Sequence, residues 1–463
     1  MNEEKQLNKS FGFWNVFFLI IGTVIGSGIF FKQGEVLSTA GTGNGAIIAW
    51  VASGVITLAG SLTVAELAGQ IDKTGGLYSY VDHVYGRLPA FIVGWTNIIF
   101  YGPAMIAAVG YFFSVILLNI FGVNPDNKIY GFKISILVTL GIIIILTAVN
   151  LFNNIITKYV SQVATYIKLV PLIVLIIFGT FFAKDIDLSS NVQAASQSSA
   201  SSLGSIGSAM IPALFAYDGW MIIASISGEI KNSKRNLPKA IFAGILVVLL
   251  IYISVSAVIL HLLPVSQIET LKEQVPSFIF AKYFGSIVGK LITIIIAISI
   301  LGTLNSKILA FPRIAFGMAE DKNIPFSNFF GKVGAKTKVP TNSILFISLI
   351  AIILLFVAGA QDLTDWGILV IWSFYILAFF AVFILREHKA PVNSFKTPLY
   401  PITPIIAIAG SLFIIITTFQ SAIDEAINYN DTTQIIGISV SFLVVLIGIP
   451  IFYWENRKNK TNK

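Results

Sequence analysis

Three ionisable side chains, Lys168, Asp218 and Lys307, fall inside stretches that are otherwise apolar over the length of a membrane crossing. A charge at that depth is costly, and where proteins keep one it faces a bundle interior, a partner or a transported solute. Asp218 can accept from a substrate amine, from a cationic side chain, or from backbone N–H groups released by a helix break. Lys307, within Leu304-Asn305-Ser306-Lys307, reads as a possible vestibule residue or as one half of a structural pair. Lys168 lies about ten residues into its stretch, roughly 15 Å from the start at 1.5 Å per residue. That depth makes escape of its ammonium to the surface difficult.

The second kind of chemistry lies in the backbone. Ile21-Gly22-Thr23-Val24-Ile25-Gly26-Ser27-Gly28-Ile29-Phe30 interrupts an apolar run from Phe11 to Phe31. Each interior glycine costs a helix about 1 kcal/mol relative to alanine. A broken backbone in hydrocarbon persists only where protein or a polar cavity satisfies its freed groups. The segment after such a break presents unpaired N–H groups, suited to a carboxylate, and the segment before it ends in carbonyls, suited to an ammonium. A second interruption, Phe215-Ala216-Tyr217-Asp218-Gly219-Trp220 with Pro212 just upstream, would supply further carbonyls. Together the two would hold a zwitterion at both ends, with N–H groups from Ser27 and Gly28 and a hydroxyl or carbonyl from Thr23. Spacing alone leaves this reading level with another, close helix packing through the small residues Gly26, Ser27 and Gly28.

The elements that must position these groups are membrane-spanning helices. Of 463 residues, 56% are hydrophobic and only 11% charged, whereas soluble domains carry roughly 25% charged residues. Counting apolar runs of about 20 residues predicts an all-α integral membrane protein of twelve spans. They lie near 11–31, 45–69, 88–121, 130–150, 158–182, 203–227, 236–262, 285–311, 340–358, 364–385, 401–422 and 434–454. The two interruptions fall in spans one and six, five helices apart. Repeats starting at each would be inverted in the bilayer, and paired broken helices in two halves point to a transporter site. The expected organisation is a polar N-terminal tail (1–10), a first repeat (11–182), an extracellular Ser-rich loop (183–202), a second repeat (203–386), helices eleven and twelve (400–454) and a basic tail (455–463). With both termini cytoplasmic, every Arg and most Lys fall on the inner side, as topology requires. The polar stretch Met1–Ser10 runs into a full-length span without a small-residue cleavage site, which reads as an uncleaved first helix.

Several classes are disfavoured. The formal charge of +8 is dispersed over short loops, so it sets topology rather than binding nucleic acid. No cysteine is present, so no thiolate metal site, thiol nucleophile or disulfide is available, and no cofactor is implied. His83, His261 and His388, expected in separate loops, lack metal-ligand or triad spacing, which argues against an enzyme. No ring of charged residues marks an ion channel. Glu66, near the end of the second span, is expected to pair with loop charges.

The motifs carry a resemblance that decides between the two readings of the break. Gly22-Thr23-Val24-Ile25-Gly26-Ser27-Gly28-Ile29-Phe30 is similar to the first-helix signature of the amino acid–polyamine–organocation superfamily. Lys73-Thr74-Gly75-Gly76-Leu77-Tyr78-Ser79-Tyr80, followed by Tyr85-Gly86, resembles its loop between helices two and three, with Asp72 where many relatives have proline. Phe215-Ala216-Tyr217-Asp218-Gly219-Trp220 matches the helix-six motif of the L-type amino acid transporter branch, in particular its bacterial serine/threonine-exchanging members.

The resemblance implies two inverted five-helix repeats plus two C-terminal helices, with helices one and six unwound at mid-membrane. It implies sodium-independent exchange of small neutral L-amino acids by alternating access, with a proton-coupled or cationic amino acid carrier as the alternative. The substrate carboxylate would meet Ser27 and Gly28, beside Gly26. Its ammonium would meet carbonyls of Thr23 or Val24 and of Phe215, Ala216 and Asp218. Phe215 resembles the aromatic gate above the substrate, and Lys168, in Lys168-Leu169-Val170-Pro171, the lysine that replaces a bound sodium ion. The implied partners are an amino acid substrate and the lipid bilayer of a bacterial plasma membrane. The external loop Gly122–Lys133 lacks the cysteine by which animal relatives join an ancillary glycoprotein.

Overall fold

Glycine and proline decide where the long apolar helices of this chain start and stop. The computed structural model describes residues 11–71, 75–152, 167–182, 203–221, 230–271, 274–334, 339–387 and 395–461. The helices that shape the site run as follows: α1 Phe13–Val24, α2 Gly28–Phe31, α3 Gln33–Ala40, α4 Gly43–Gln70, α5 Leu77–Tyr85 and α6 Arg87–Thr96. A π-helical turn, Asn97–Tyr101, leads into α7 Gly102–Ile120, and α8 covers Ile134–Phe152. Then come α9 Leu169–Phe181, α10 Leu203–Tyr217, α11 Ser233–Leu262, α12 Val265–Leu271, α13 Val275–Phe284 and α14 Ser286–Glu320. The last five are α15 Ser327–Phe330, α16 Thr341–Leu354, α17 Ala360–Glu387, α18 Ile402–Asn428 and α19 Thr433–Thr461. Among the described residues the only strands are the two of a small hairpin between α7 and α8, Lys128–Ile129 and Phe132–Lys133.

Nine helical segments among the described residues are long and apolar enough to cross a membrane: Phe13–Phe31, Gly43–Gln70, Arg87–Ile120, Ile134–Leu151, Arg235–Leu262, Ser286–Glu320, Ala360–Glu387, Ile402–Asn428 and Thr433–Glu455. Three shorter apolar helices, Leu169–Phe181, Leu203–Tyr217 and Thr341–Leu354, stand where the fifth, sixth and ninth spans are expected. A helix of 13 residues reaches only about 20 Å, short of a hydrocarbon core near 30 Å. The beginning of the expected fifth span, the end of the sixth, and the Ser-rich loop lie outside the described residues. One expectation is corrected: His83 lies on α5 and His261 in the last turn of α11, not in loops. His388 lies outside the described residues.

The hub of the bundle is α4, which packs against α10, α11, α17 and α18. Its glycines explain how so many neighbours approach. A Cβ on Gly54 would meet Leu249 and the Tyr217 hydroxyl, each at 2.7 Å, and one on Gly60 would meet the Phe379 ring at 2.7 Å. Small residues allow this closeness where hydrophobic burial alone gives helices no reason to associate. The outward faces are apolar instead: Leu345, Leu349 and Ile353 recur on one face of α16, and Leu443 and Ile447 on one face of α19.

Several polar groups inside the bundle are paired across helices. Asn150 Nδ2 donates to Asn305 Oδ1 at 2.7 Å, joining α8 to α14, and Thr147 donates to Ser348 at 2.8 Å. Glu66, at the end of α4, accepts from Arg386 Nε and Nη2, each at 2.7 Å, and from the Thr397 N–H at 2.7 Å. The partner is thus a cation at the end of α17, whose guanidinium also stacks on Tyr400. Removing the guanidinium would leave a buried carboxylate uncompensated. That costs about 3 kcal/mol, the low end for such pairs, because water reaches part of Arg386. Arg386→Met should therefore lower the apparent unfolding temperature in detergent by a few degrees. Glu66→Gln/Arg386→Met, which keeps an acceptor for Thr397 and removes the charge, should recover most of it.

Candidate functional site

Helix α1 stops at Val24: Ile25 is extended, with ψ near 98°, and helical structure resumes at Gly28. Helix α10 stops at Tyr217, and Gly219 takes φ of 112°, a conformation open to glycine but strained for other residues. The two interruptions lie against each other. A Cβ on Gly28 would collide with the Ala216 backbone, and one on Gly219 would come within 2.6 Å of the Thr23 carbonyl oxygen. Gly26 faces α14, where a Cβ would meet the Thr303 side chain at 3.0 Å. At Gly28 and Gly219 glycine is needed for contact between backbones, and the same contacts set the freed polar groups side by side.

The released carbonyls have partners. Tyr252, fully buried on α11, donates its hydroxyl to Ala216 O at 2.9 Å and lies 3.3 Å from Val24 O, so one side chain spans both interruptions. Lys168, 2% exposed just before α9, donates its ammonium to Gly22 O. Asp218 N–H donates to Phe215 O at 3.2 Å, and the Thr23 hydroxyl turns back to Ile20 O at 3.0 Å. Val24 and Ala216, two carbonyls expected to face a substrate ammonium, therefore share the Tyr252 hydroxyl here. A carbonyl carries two lone pairs, so each keeps acceptor capacity.

The carboxylate of Asp218 is held from two sides. Lys307 Nζ donates to Oδ2 at 3.0 Å, and the Tyr101 hydroxyl donates to Oδ1. The side chains are only 6% and 4% exposed for Lys307 and Asp218 respectively. Tyr101 closes the π-helical turn of the third span, and Gly102-Pro103 follows it. Single π turns recur at functional sites because they rotate side chains off the regular helical face. A cavity of about 40 Å³ runs from Asp218 and Gly219 past Tyr101, Phe311 and Tyr375 to the loop at Gly75–Tyr78. Beyond it Tyr78 donates to Asp321 at 3.1 Å, and Arg87 Nη2 donates to Lys322 O at 2.7 Å. Burial, with Asp321 alongside, pushes the Tyr78 phenol well above its usual range.

The opposite end is shut by aromatic rings and an ion cluster. Phe215 lies edge-on to Phe112 at 6.0 Å, and Phe112 packs on Phe31 at 4.7 Å. Lys32 sits over the Phe215 ring at 5.5 Å while pairing with Glu35 at 2.7 Å and Asp365 at 3.2 Å. It thereby ties the segment after the first break to α17.

A polar junction where two helix ends meet, enclosed by apolar spans, is consistent with a membrane transporter. The chain belongs to the amino acid permease family, whose model matches residues 11–452. It is 38% identical to the serine/threonine exchanger SteT of Bacillus subtilis (strain 168), over 98% of this chain and 99% of that protein. It is 28% identical to the b(0,+)-type amino acid transporter 1 of Mus musculus, over 90% and 84% of the two chains. It is 24% identical to the human cystine/glutamate transporter, over 98% and 87%. These relatives and the family are transporters rather than enzymes.

Thr23, Val24, Gly26, Ser27, Gly28, Phe215, Ala216 and Asp218 all line or adjoin the junction, and Lys168 and Lys307 contact it. Tyr252, Tyr101 and Lys32 were not identified from the sequence. For Tyr101 the Gly102-Pro103 step was an available signal, whereas nothing local marks Tyr252. Gly28→Val should reach the membrane yet lose substrate binding, because any branched Cβ drives Ala216 away. Tyr252→Phe, which keeps the ring, should weaken apparent substrate affinity roughly tenfold. Fluorescence-detected gel filtration and uptake assays check both, and wild-type affinity in Tyr252→Phe would exclude the bridging role.

Proposed function

We propose that this protein is a sodium-independent exchanger of small neutral L-amino acids, working by alternating access in the plasma membrane. The observation that supports the reading is the junction, where the start of α2 lies against the end of α10 and Gly219 against the Thr23 carbonyl near the end of α1. Helix starts favour anions and helix ends favour cations. A zwitterion fits both, with its carboxylate at Ser27 and Gly28 and its ammonium at the carbonyls of Thr23 or Val24 and of Phe215, Ala216 and Asp218. Phe215 then acts as the gate over the bound molecule.

In this reading the chain has twelve spans, arranged as two inverted five-helix repeats (11–182 and 203–386) and two further helices (400–454). Spans one and six are unwound at mid-membrane, and both termini are cytoplasmic. The Lys168 ammonium, bound to the Gly22 carbonyl, does the work of a structural sodium ion at the end of α1. Without cysteine the chain offers no disulfide to an ancillary subunit, and we infer that it transports on its own. Names of the relatives support the substrate class: one is a serine/threonine exchanger.

Purified protein in liposomes provides the test. Labelled serine should enter vesicles preloaded with serine, alanine or threonine at least tenfold faster than empty ones, at the same rate in sodium and in choline. Equal uptake into empty and loaded vesicles would refute exchange. Lys168→Gln should cut exchange by an order of magnitude or more without creating a sodium requirement, since glutamine supplies a donor but no charge.

A further inference from the structure

The cavity that leads away from Asp218 ends between α5 and α14, and a set of hydrogen bonds joins those helices there. We propose that this set is a latch: it holds the Gly75–Tyr78 end of the junction shut between turnovers, and its release opens that end to water. The inference rests on the alternating-access reading above, in which this is the cytoplasmic end.

Four residues make the latch. The Tyr78 hydroxyl, on a side chain 2% exposed, donates to Asp321 Oδ2 at 3.1 Å, just past the end of α14. Asn323, also buried, donates its amide Nδ2 to the Tyr78 hydroxyl at 3.3 Å and to the Arg87 carbonyl at 3.2 Å. The Arg87 guanidinium closes the circuit, with Nη2 at 2.7 Å from Lys322 O and 3.3 Å from Asp321 O. A cation suits the carbonyl end of a helix, so Arg87 is well placed against the end of α14.

Position distinguishes a latch from a brace. Gly76, Leu77 and Tyr78 line the cavity from one side and Ala310 and Ile314 of α14 from the other, so the bonds tie wall to wall. At about 40 Å³ the space is too small for an amino acid while they hold. Arg87 and Asp321 are already exposed, so water replaces their bonds on opening and the net cost stays small. Helix α5 also lies between Gly76 and Gly86, whose φ angles of 59° and 83° favour glycine. A Cβ on Gly86 would meet nothing within 4 Å, so glycine there serves the backbone turn and not packing. Beside that turn the Tyr85 hydroxyl donates to Leu377 O at 2.9 Å, fixing the far end of α5 to α17 while the latch holds the near end. Loss of a brace loosens the whole bundle. Loss of a latch shifts one equilibrium, so access rises on one side of the junction only.

Because the sequence contains no cysteine, a single introduced thiol can report each side. Ala310→Cys lies in the cavity that the latch closes. Thr39→Cys lies in a second cavity, of about 220 Å³, on the opposite side, where Asp365 pairs with Lys32. Each protein is purified in detergent, and its rate of labelling by a charged maleimide is measured with and without Tyr78→Phe. That change keeps the ring and removes both the donor to Asp321 and the acceptor for Asn323. It should speed labelling of Ala310→Cys at least fivefold and leave that of Thr39→Cys equal or slower. Arg87→Gln, at an exposed position, should act in the same direction and carries the test alone if Tyr78→Phe fails to accumulate. Unchanged labelling of Ala310→Cys in folded variants, or faster labelling of both reporters, overturns the latch. The labelling needs no transport, so wild-type protein that does not exchange serine would overturn the functional reading separately.

Discussion

A helix that stops at Val24 inside a bundle of apolar spans leaves carbonyls without their usual donors, and the surrounding structure is arranged around that deficit. In water the loss would be trivial. Among hydrocarbon side chains an unmet backbone group costs several kcal/mol, enough to refold the segment as continuous helix unless something else supplies the donors. The supply comes from two side chains far away in sequence, the Lys168 ammonium at Gly22 and the Tyr252 hydroxyl between Val24 and Ala216. Each is almost wholly buried and reaches the break from a different helix. The break is therefore supported by donors that reach it from elsewhere in the bundle.

The second interruption depends on the first. Because Gly28 lies against Ala216 and Gly219 against Thr23, neither helix could recover its regular path without driving backbone atoms through the other. This mutual exclusion is a steric effect between main chains, and it explains why the critical positions are glycine rather than merely small. It also places the carbonyl ends of α1 and α10 together, doubling the negative potential at one point. The Lys168 ammonium at the Gly22 carbonyl offsets part of that potential.

Much of this was legible in the sequence because glycine, proline and isolated charges punctuate apolar runs unambiguously. Gly22, Gly26 and Gly28 mark the region where α1 ends and Asp218-Gly219 the point where α10 ends, since both lower helix propensity inside apolar runs. Lys168 and Lys307 stood out as charges too deep to escape. Their partners did not, because a contact between residues 89 positions apart leaves no local trace, and Tyr252 is one of 15 tyrosines.

The two ends of the junction are closed by different means, and the difference matters for a transporter that must open them in turn. On the Phe215 side, rings of Phe31, Phe112 and Phe215 are capped by Lys32, whose ammonium contacts two carboxylates and a ring face at once. On the Gly75–Tyr78 side the closure is looser, since a cavity already leads there and Tyr78 and Arg87 hold the end of α14 by hydrogen bonds. Separating apolar rings exposes surface that water does not compensate, whereas separating Lys32 from Glu35 and Asp365 exposes groups that water solvates well. An ionic cap over an aromatic plug therefore lowers the cost of opening without loosening the seal when shut. Lys32 also joins the segment after the first break to α17, so this ion cluster links the end of the junction to the break itself.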